Sequence, residues 1–220
     1  MSLPFLDIHT HSTAPHPDTL RVLNHIVGRE VMDKESLYTA GIHPWYIDAD
    51  PSSQWQLLQT AIDSPRVIGI GECGLDKHCD TDWDLQIGIF EGQIKLAKKA
   101  DKPLLIHSVR AYQEITQLLR AQRFDLPVIF HGFNKNIKLA KQLLDAGYYL
   151  SLGADILSGR QDALISEIPL DRVLLETDDK AIDIVAIFSY FCAARKLPLA
   201  VLKQQLMDNF ERVFNYRIEE

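Results

Sequence analysis

Residues 67–107 read VIGIGECGLDKHCDTDWDLQIGIFEGQIKLAKKADKPLLIH, and this stretch decides the fold class. It opens on the apolar run Val67–Glu72 and closes on a second, Pro103–His107. Between them Trp83, Ile87, Phe90, Ile94 and Ala97 recur at alternating helical steps and give one apolar face. Two strand-length runs flanking one amphipathic helix spell a strand–helix–strand unit, the connection that parallel neighbours require. The same alternation extends outward on both sides. Candidate strands lie at Phe5–His11, Val22–Val27 and Leu37–His43 before it, and at Val128–His131, Tyr148–Leu152 and Arg172–Thr177 after it. Helical faces recur at Tyr112, Ile115 and Leu118, and at Ile137, Ala140 and Leu144 behind a capping Asn134 or Asn136. A last helix carries Leu199, Leu202, Leu206 and Phe210 behind Pro198. Apolar residues at these spacings are core.

Eight strands with helices between the later ones predict an α/β fold, a (β/α)8 barrel, with residues 1–220 as a single domain. No repeat, low-complexity tract or Gly/Ser/Pro-rich linker interrupts the chain. Its 220 residues fall short of the roughly 250 usual for such a barrel. The shortage sits at the front, where about ten residues between each of the first three strands are too few for crossover helices. The barrel is therefore expected to be shortened or distorted in its N-terminal part.

Composition narrows the function. Hydrophobic residues make up 46% and charged residues 24%, which excludes a wholly disordered chain. No apolar run approaches the roughly 18 residues of a membrane-spanning helix, and Met1–His11 shows no basic segment followed by an apolar one. The scattered Cys73, Cys79 and Cys192 argue against a disulfide framework, so a cytoplasmic protein without a membrane partner is expected. The net charge of −7 excludes a broad basic surface for coating nucleic acid. It leaves room for local phosphate binding where metal ions supply the positive charge.

Chemistry gathers at the strand ends. The first strand finishes Asp7-Ile-His9-Thr-His11, and alternation puts both imidazoles on one face. Glu72 follows an apolar run, where an unpaired carboxylate needs a cation or strong donors. The fifth and sixth strands end in His107 and His131, and the eighth runs Val173-Leu-Leu-Glu-Thr-Asp178. A parallel barrel brings all these ends to one mouth. Histidines and carboxylates converging from five strand ends suffice for two metals, and suit Zn²⁺ or Mn²⁺ better than Mg²⁺.

The motif series DIHTH, GIHP, GIGECGLD, PLLIH, IFHGF, GYYLSLG and LLETD resembles the TatD family of metal-dependent hydrolases over about Asp7 to Asp178. Residues 208–214, DNFERVF, are similar to that family's closing helix. The resemblance implies a barrel with DNase activity. It also implies that His9 and His11 hold one ion with Glu72 and Asp178, while His107 and His131 hold a second with Glu72 bridging. On that reading a metal-activated water in a two-metal site cleaves a phosphodiester in single-stranded DNA or at nicked ends. Asp178 deprotonates the water and Glu72 joins it as a catalytic carboxylate.

Lys77, Arg110 and Lys135 follow strand ends and are candidate phosphate contacts, as is Lys180. His43, in Gly41-Ile-His-Pro44, is a candidate substrate contact or a hydrogen-bonding support to the metal site. His16, His25 and His78 read as surface or loop residues, and the spacing of Cys73 and Cys79 fits no usual zinc knuckle. Three departures from the family pattern stand out. The Ser-Pro and loop common after the acidic motif are replaced by Asp178-Asp179-Lys180, which should reshape the substrate cleft. Val109 stands where an Arg is usual, with Arg110 one place later, and IFHGF has Gly where Cys is common. Alternative readings are a metal-dependent amide, lactone or small-ester hydrolase, or a metal-binding protein without catalysis.

Overall fold

The computed structural model describes residues 3–14 and 16–217. Among them, eight strands follow chain order in one sheet: β1 (Phe5–Thr10), β2 (Thr19–Ile26), β3 (Leu37–Gly41), β4 (Val67–Asp76), β5 (Leu104–Val109), β6 (Val128–Phe130), β7 (Tyr149–Leu152) and β8 (Val173–Leu175). The pairings β1–β2, β3–β4, β4–β5, β6–β7 and β7–β8 are parallel, and an isolated parallel bridge between Thr10 and Asp178 joins β1 to the segment after β8. This is the (β/α)8 barrel. The described helices are α1 (Ser52–Ile62), α2 (Trp83–Ala100), α3 (Tyr112–Ala121), α4 (Ile137–Asp145), α5 (Asp162–Glu167), α6 (Ile184–Arg195) and α7 (Leu199–Phe214). As expected, the abbreviation is at the front: among the described residues no helix lies between β1 and β2 or between β2 and β3. Among the described residues no single helix is long and apolar enough to cross a membrane.

The chain divides into two compact units, Met1–Leu23 with Ile129–Glu220, and Asn24–Val128. In the first, α6 buries Ile184, Ile187, Phe188 and Phe191, and α7 buries Leu202, Leu206, Phe210 and Val213. Of the two candidate caps for α4, Asn136 does the work, its Oδ1 accepting the Leu139 N–H at 3.0 Å.

In the second unit α2 sits rotated from its expected face. Phe90, Ile94 and Ala97 are buried, but Gln86, Ile89 and Gln93 take the places expected of Trp83 and Ile87. The reason is hydrogen bonding. The Gln93 amide accepts from the Ile42 N–H at 2.8 Å and donates to the Ile42 carbonyl at 3.0 Å. The Gln86 amide does the same to Asp76, at 2.9 and 3.1 Å. Each glutamine thus pins α2 to the end of a strand that carries a polar side chain of the candidate site. Burying an amide whose donors and acceptors are matched costs little, so polar residues can outcompete isoleucine there. The helix α1 is fastened by Gln54, whose amide donates to the Tyr46 carbonyl at 2.7 Å and accepts the Asp48 N–H at 2.9 Å.

Gly74, at φ +144°, lets β4 and β5 approach closely: a Cβ there would lie 2.0 Å from the His107 carbonyl oxygen. Gly74→Ala is expected to destabilise the fold by roughly 3 kcal/mol or more, since both overpacking and an unfavourable φ oppose it. Urea unfolding of the variant beside the wild type checks this.

Candidate metal centre

In the first unit, strand alternation places the rings of His9 and His11 together, with centroids 5.3 Å apart. Asp178 meets them from the segment after β8, its Oδ1 3.4 Å from Nε2 of His9 and 3.6 Å from Nε2 of His11. Its main chain is fixed on both sides: the Asp178 N–H donates to the His9 carbonyl at 2.9 Å, and the His11 N–H donates to the Asp178 carbonyl at 3.1 Å. This turn holds Asp178 at φ +56°, a left-handed conformation that Asp tolerates better than bulkier residues. The ring of His131, just past β6, lies 4.5 Å from that of His9. One donor atom each from His9, His131 and Asp178 falls within 4.8 Å of the others.

Behind this cluster Asp7 accepts from Thr177 twice, from its N–H at 2.9 Å and its hydroxyl at 2.6 Å. Burial pushes the Asp7 carboxyl up to about 6, against the lowering effect of those bonds.

In the second unit Glu72 is buried on β4. Asn24 steadies it from both sides, accepting the Glu72 N–H at 3.0 Å and donating to Oε2 at 3.4 Å. The Oε1 atom faces two imidazoles, Nδ1 of His107 at 2.8 Å and Nε2 of His43 at 3.2 Å. Donor atoms of His43, Glu72 and His107 again lie within 4.8 Å of one another. The His43 tautomer follows from its other nitrogen, which accepts the Trp45 N–H at 3.1 Å. A neutral ring accepting on Nδ1 carries its proton on Nε2, so His43 donates to Glu72.

Two carboxylates absent from the sequence-derived site orient the remaining rings. Asp76 Oδ2 lies 3.0 Å from Nε2 of His107 and accepts the Trp45 indole N–H at 2.6 Å. Glu176 Oε1 lies 3.3 Å from Nδ1 of His131 and accepts the Gly132 N–H at 2.7 Å. A carboxylate on one ring nitrogen fixes the tautomer and leaves the other nitrogen as a lone-pair donor. Burial pushes the Asp76 carboxyl up, but the bonds from His107, Trp45 and the His78 N–H outweigh it and hold it well below the usual range. Both acids were detectable in principle. Each ends a buried apolar run, where an ionised group demands donors.

The donor set fits a metal. Neutral imidazoles mixed with carboxylates suit Zn²⁺ or Mn²⁺, whereas Mg²⁺ prefers oxygen alone. Cysteine takes no part among the described residues: Cys73 is fully buried, and burial followed by the neighbouring Glu72 charge pushes its thiol up. The candidate substrate contacts are spread out. Lys77 is exposed, paired with the Glu114 carboxylate and lying 5.4 Å from the Trp83 ring centroid. Arg110 is exposed, and Lys135 borders a hollow of about 450 Å³ with Asn136 and Arg160.

One histidine departs from expectation. His25 is not a surface or loop residue but lies buried on β2, packed near the Tyr38 ring. Burial pushes its pKa down from 6.5, opposed by the Glu30 charge. The unfolded chain therefore takes up a proton near pH 6.5 that the native state refuses, so this contribution is intact above 6.5 and is lost as the pH falls below it. His25→Leu is expected to flatten the fall in stability between pH 7.5 and 5.5, read from urea unfolding at the two values.

Compared with known proteins, the profile of the family described as TatD related DNase matches residues 8–215. The chain belongs to that family. This TatD-family chain is 29% identical over 203 residues to the metal-dependent hydrolase YjjV of Escherichia coli K12, covering 82% of the chain and 78% of its relative. It is 33% identical over 147 residues to the 3′-5′ ssDNA/RNA exonuclease TatD of Edwardsiella piscicida, covering 64% and 56%. The crystal structure of YjjV superimposes with a TM-score of 0.84 at 22% identity, covering 99% of this chain and all of that one, and shows the same barrel. The TatD-family chain is a metal-dependent hydrolase.

Proposed function

We propose that the protein is a phosphodiesterase acting on single-stranded DNA or on nicked ends, and that its two donor sets hold divalent ions. The observation that carries this reading is the pair of carboxylate-held imidazoles, His107 on Asp76 and His131 on Glu176, each set beside further donors. Side chains so preorganised serve metal binding and need no such arrangement for packing alone. In the first unit His9, His11, His131 and Asp178 are the donors; in the second they are Glu72 and His107. His43, with its proton on Nε2, supports Glu72 as a hydrogen-bond donor. The relatives named as a DNA/RNA exonuclease and, in mouse, a putative deoxyribonuclease support DNA as the substrate.

When bound, divalent ions supply Lewis acidity toward phosphoryl oxygens and favour a nucleophilic water at neutral pH. The chain's own residues do the rest. Asp178, held by two main-chain hydrogen bonds, accepts the proton of the attacking water on its carboxylate. Glu72, fixed by Asn24 and His43, keeps its carboxylate in one orientation. Asp76 and Glu176 keep the rings of His107 and His131 from rotating.

Metal-stripped protein reloaded with Zn²⁺, Mn²⁺ or Mg²⁺ and offered bis(p-nitrophenyl) phosphate, a lactone panel and an amide panel tests the reading. Hydrolysis of the phosphodiester alone supports it; turnover confined to lactones or amides overturns it. Asp76→Asn is expected to weaken metal affinity by about 10- to 100-fold by releasing His107. Chelator competition against the wild type measures that loss.

A further inference from the structure

We propose that Arg21 anchors a second phosphate, next to the scissile one, in a cavity of about 530 Å³ bounded by both His11 and Asp178. The inference deepens the phosphodiesterase reading and rests on it, for it concerns the substrate of that same site. The cavity lies within the first unit, with Thr10, His11, Ser12 and Arg21 on one side and residues 177–184 on the other. One wall is the short segment that runs from Asp178 into α6. Its outer wall is tied by His16, whose Nε2 lies 3.3 Å from Asp183 Oδ1 and whose Nδ1 lies 2.8 Å from Thr19 Oγ1. Asp183 in turn caps α6, accepting the Val185 N–H at 2.8 Å.

Arg21 points to the ligand. It sits half-buried on β2, opposite Asp7 in the strand register, and its Nη1 donates to the carbonyls of Ser12, at 2.9 Å, and Ala14. Those bonds aim the guanidinium without neutralising it. Its Nη2 and Nε make no hydrogen bond to the described residues, and no described carboxylate pairs with it. The acids bordering the cavity are engaged elsewhere: Asp7 by Thr177, Asp179 by Lys180 at 2.7 Å, and Asp183 by His16. Asp178 belongs to the metal donors. A half-buried cation held by dipoles alone calls for an anion, and a planar fork with free N–H groups matches a phosphate through two bonds. The cavity volume falls within the range of about 300–1,000 Å³ usual for small-molecule sites. A phosphodiester reacting beside Asp178 would place the neighbouring phosphate of the same strand in this cavity. The enzyme would then prefer substrates that carry a second phosphate over isolated diesters.

The test uses the full-length, metal-loaded protein and three dithymidylates: one with free ends, one with a 5′-phosphate and one with a 3′-phosphate. The wild type is expected to favour one phosphorylated form over the unphosphorylated by about tenfold or more in kcat/KM, mainly through KM. Arg21→Gln brings that ratio to within about twofold of unity, and Arg21→Lys restores part of it. A wild type without preference, or a preference that survives in Arg21→Gln, overturns the proposal. A merely structural role for Arg21 would lower all three substrates together and leave the ratio, which also overturns it. If no phosphodiester is cleaved at all, the phosphodiesterase reading has failed. The anchor is then tested by calorimetric titration with thymidine 3′,5′-bisphosphate: saturable binding lost in Arg21→Gln supports it, whereas binding equal in both proteins, or absent from the wild type, overturns it.

Discussion

Asp178→Asn is expected to lower metal-dependent phosphodiester hydrolysis by about 10³-fold while the protein stays folded. The substitution keeps shape and removes basicity: an amide cannot take the proton of an attacking water and is a poor ligand beside two imidazoles. The fold should survive because the turn is held through the main chain, by the Asp178 N–H on the His9 carbonyl and the His11 N–H on the Asp178 carbonyl. Asn is also tolerated at φ +56°. Saturating Mn²⁺ kinetics together with a thermal melt separate the two effects. Activity within tenfold of the wild type would remove Asp178 from the mechanism.

Glu72→Gln is expected to cost about a hundredfold or more in activity and to weaken the fold even without metal. The native carboxylate accepts on both oxygens, from His43 on Oε1 and from Asn24 on Oε2. Gln has one acceptor oxygen, so its NH₂ group must face either the Asn24 amide or the His43 N–H, donor against donor. A buried donor left without an acceptor costs about 1–3 kcal/mol. Loss of a direct ligand should exceed the roughly 10- to 100-fold typical of a lost supporting carboxylate. Urea unfolding of the metal-free variant reads the first effect, and metal titration reads the second. A variant that binds metal normally and turns over at the wild-type rate would exclude Glu72 as a ligand.

Much of this was legible in the sequence because the barrel repeats one physical pattern. Apolar runs such as Leu104-Leu-Ile ended in single polar residues, and in a parallel barrel the strand ends carry the chemistry. The structure brings His9, His131 and Asp178 together in one unit, and Glu72 and His107 in the other. What stayed hidden had specific causes. Gln86 and Gln93 lie outside the apolar pattern that marks a helix face, and nothing local reveals that a distant strand offers each an unpaired peptide group. Asp76 and Glu176 stood in the quoted motifs, but their partners are set by tertiary contact, as is the proton position on His43. His25 was misread although it lay inside the expected strand Val22–Val27: β2 is buried on both faces from Val22 onward, so a polar residue there is not marked as exposed by alternation. Arg21 carried no sequence signal, for its meaning depends on the absence of an acidic partner in three dimensions.

The most direct measurement is cleavage of end-labelled single-stranded DNA by metal-stripped protein reloaded with Mn²⁺, with Asp178→Asn run alongside. A product ladder that requires the metal and vanishes in the variant is expected, and the ladder gives the direction of attack. Intact DNA after incubation with fully loaded wild-type protein, or a ladder that persists unchanged in Asp178→Asn, would contradict it.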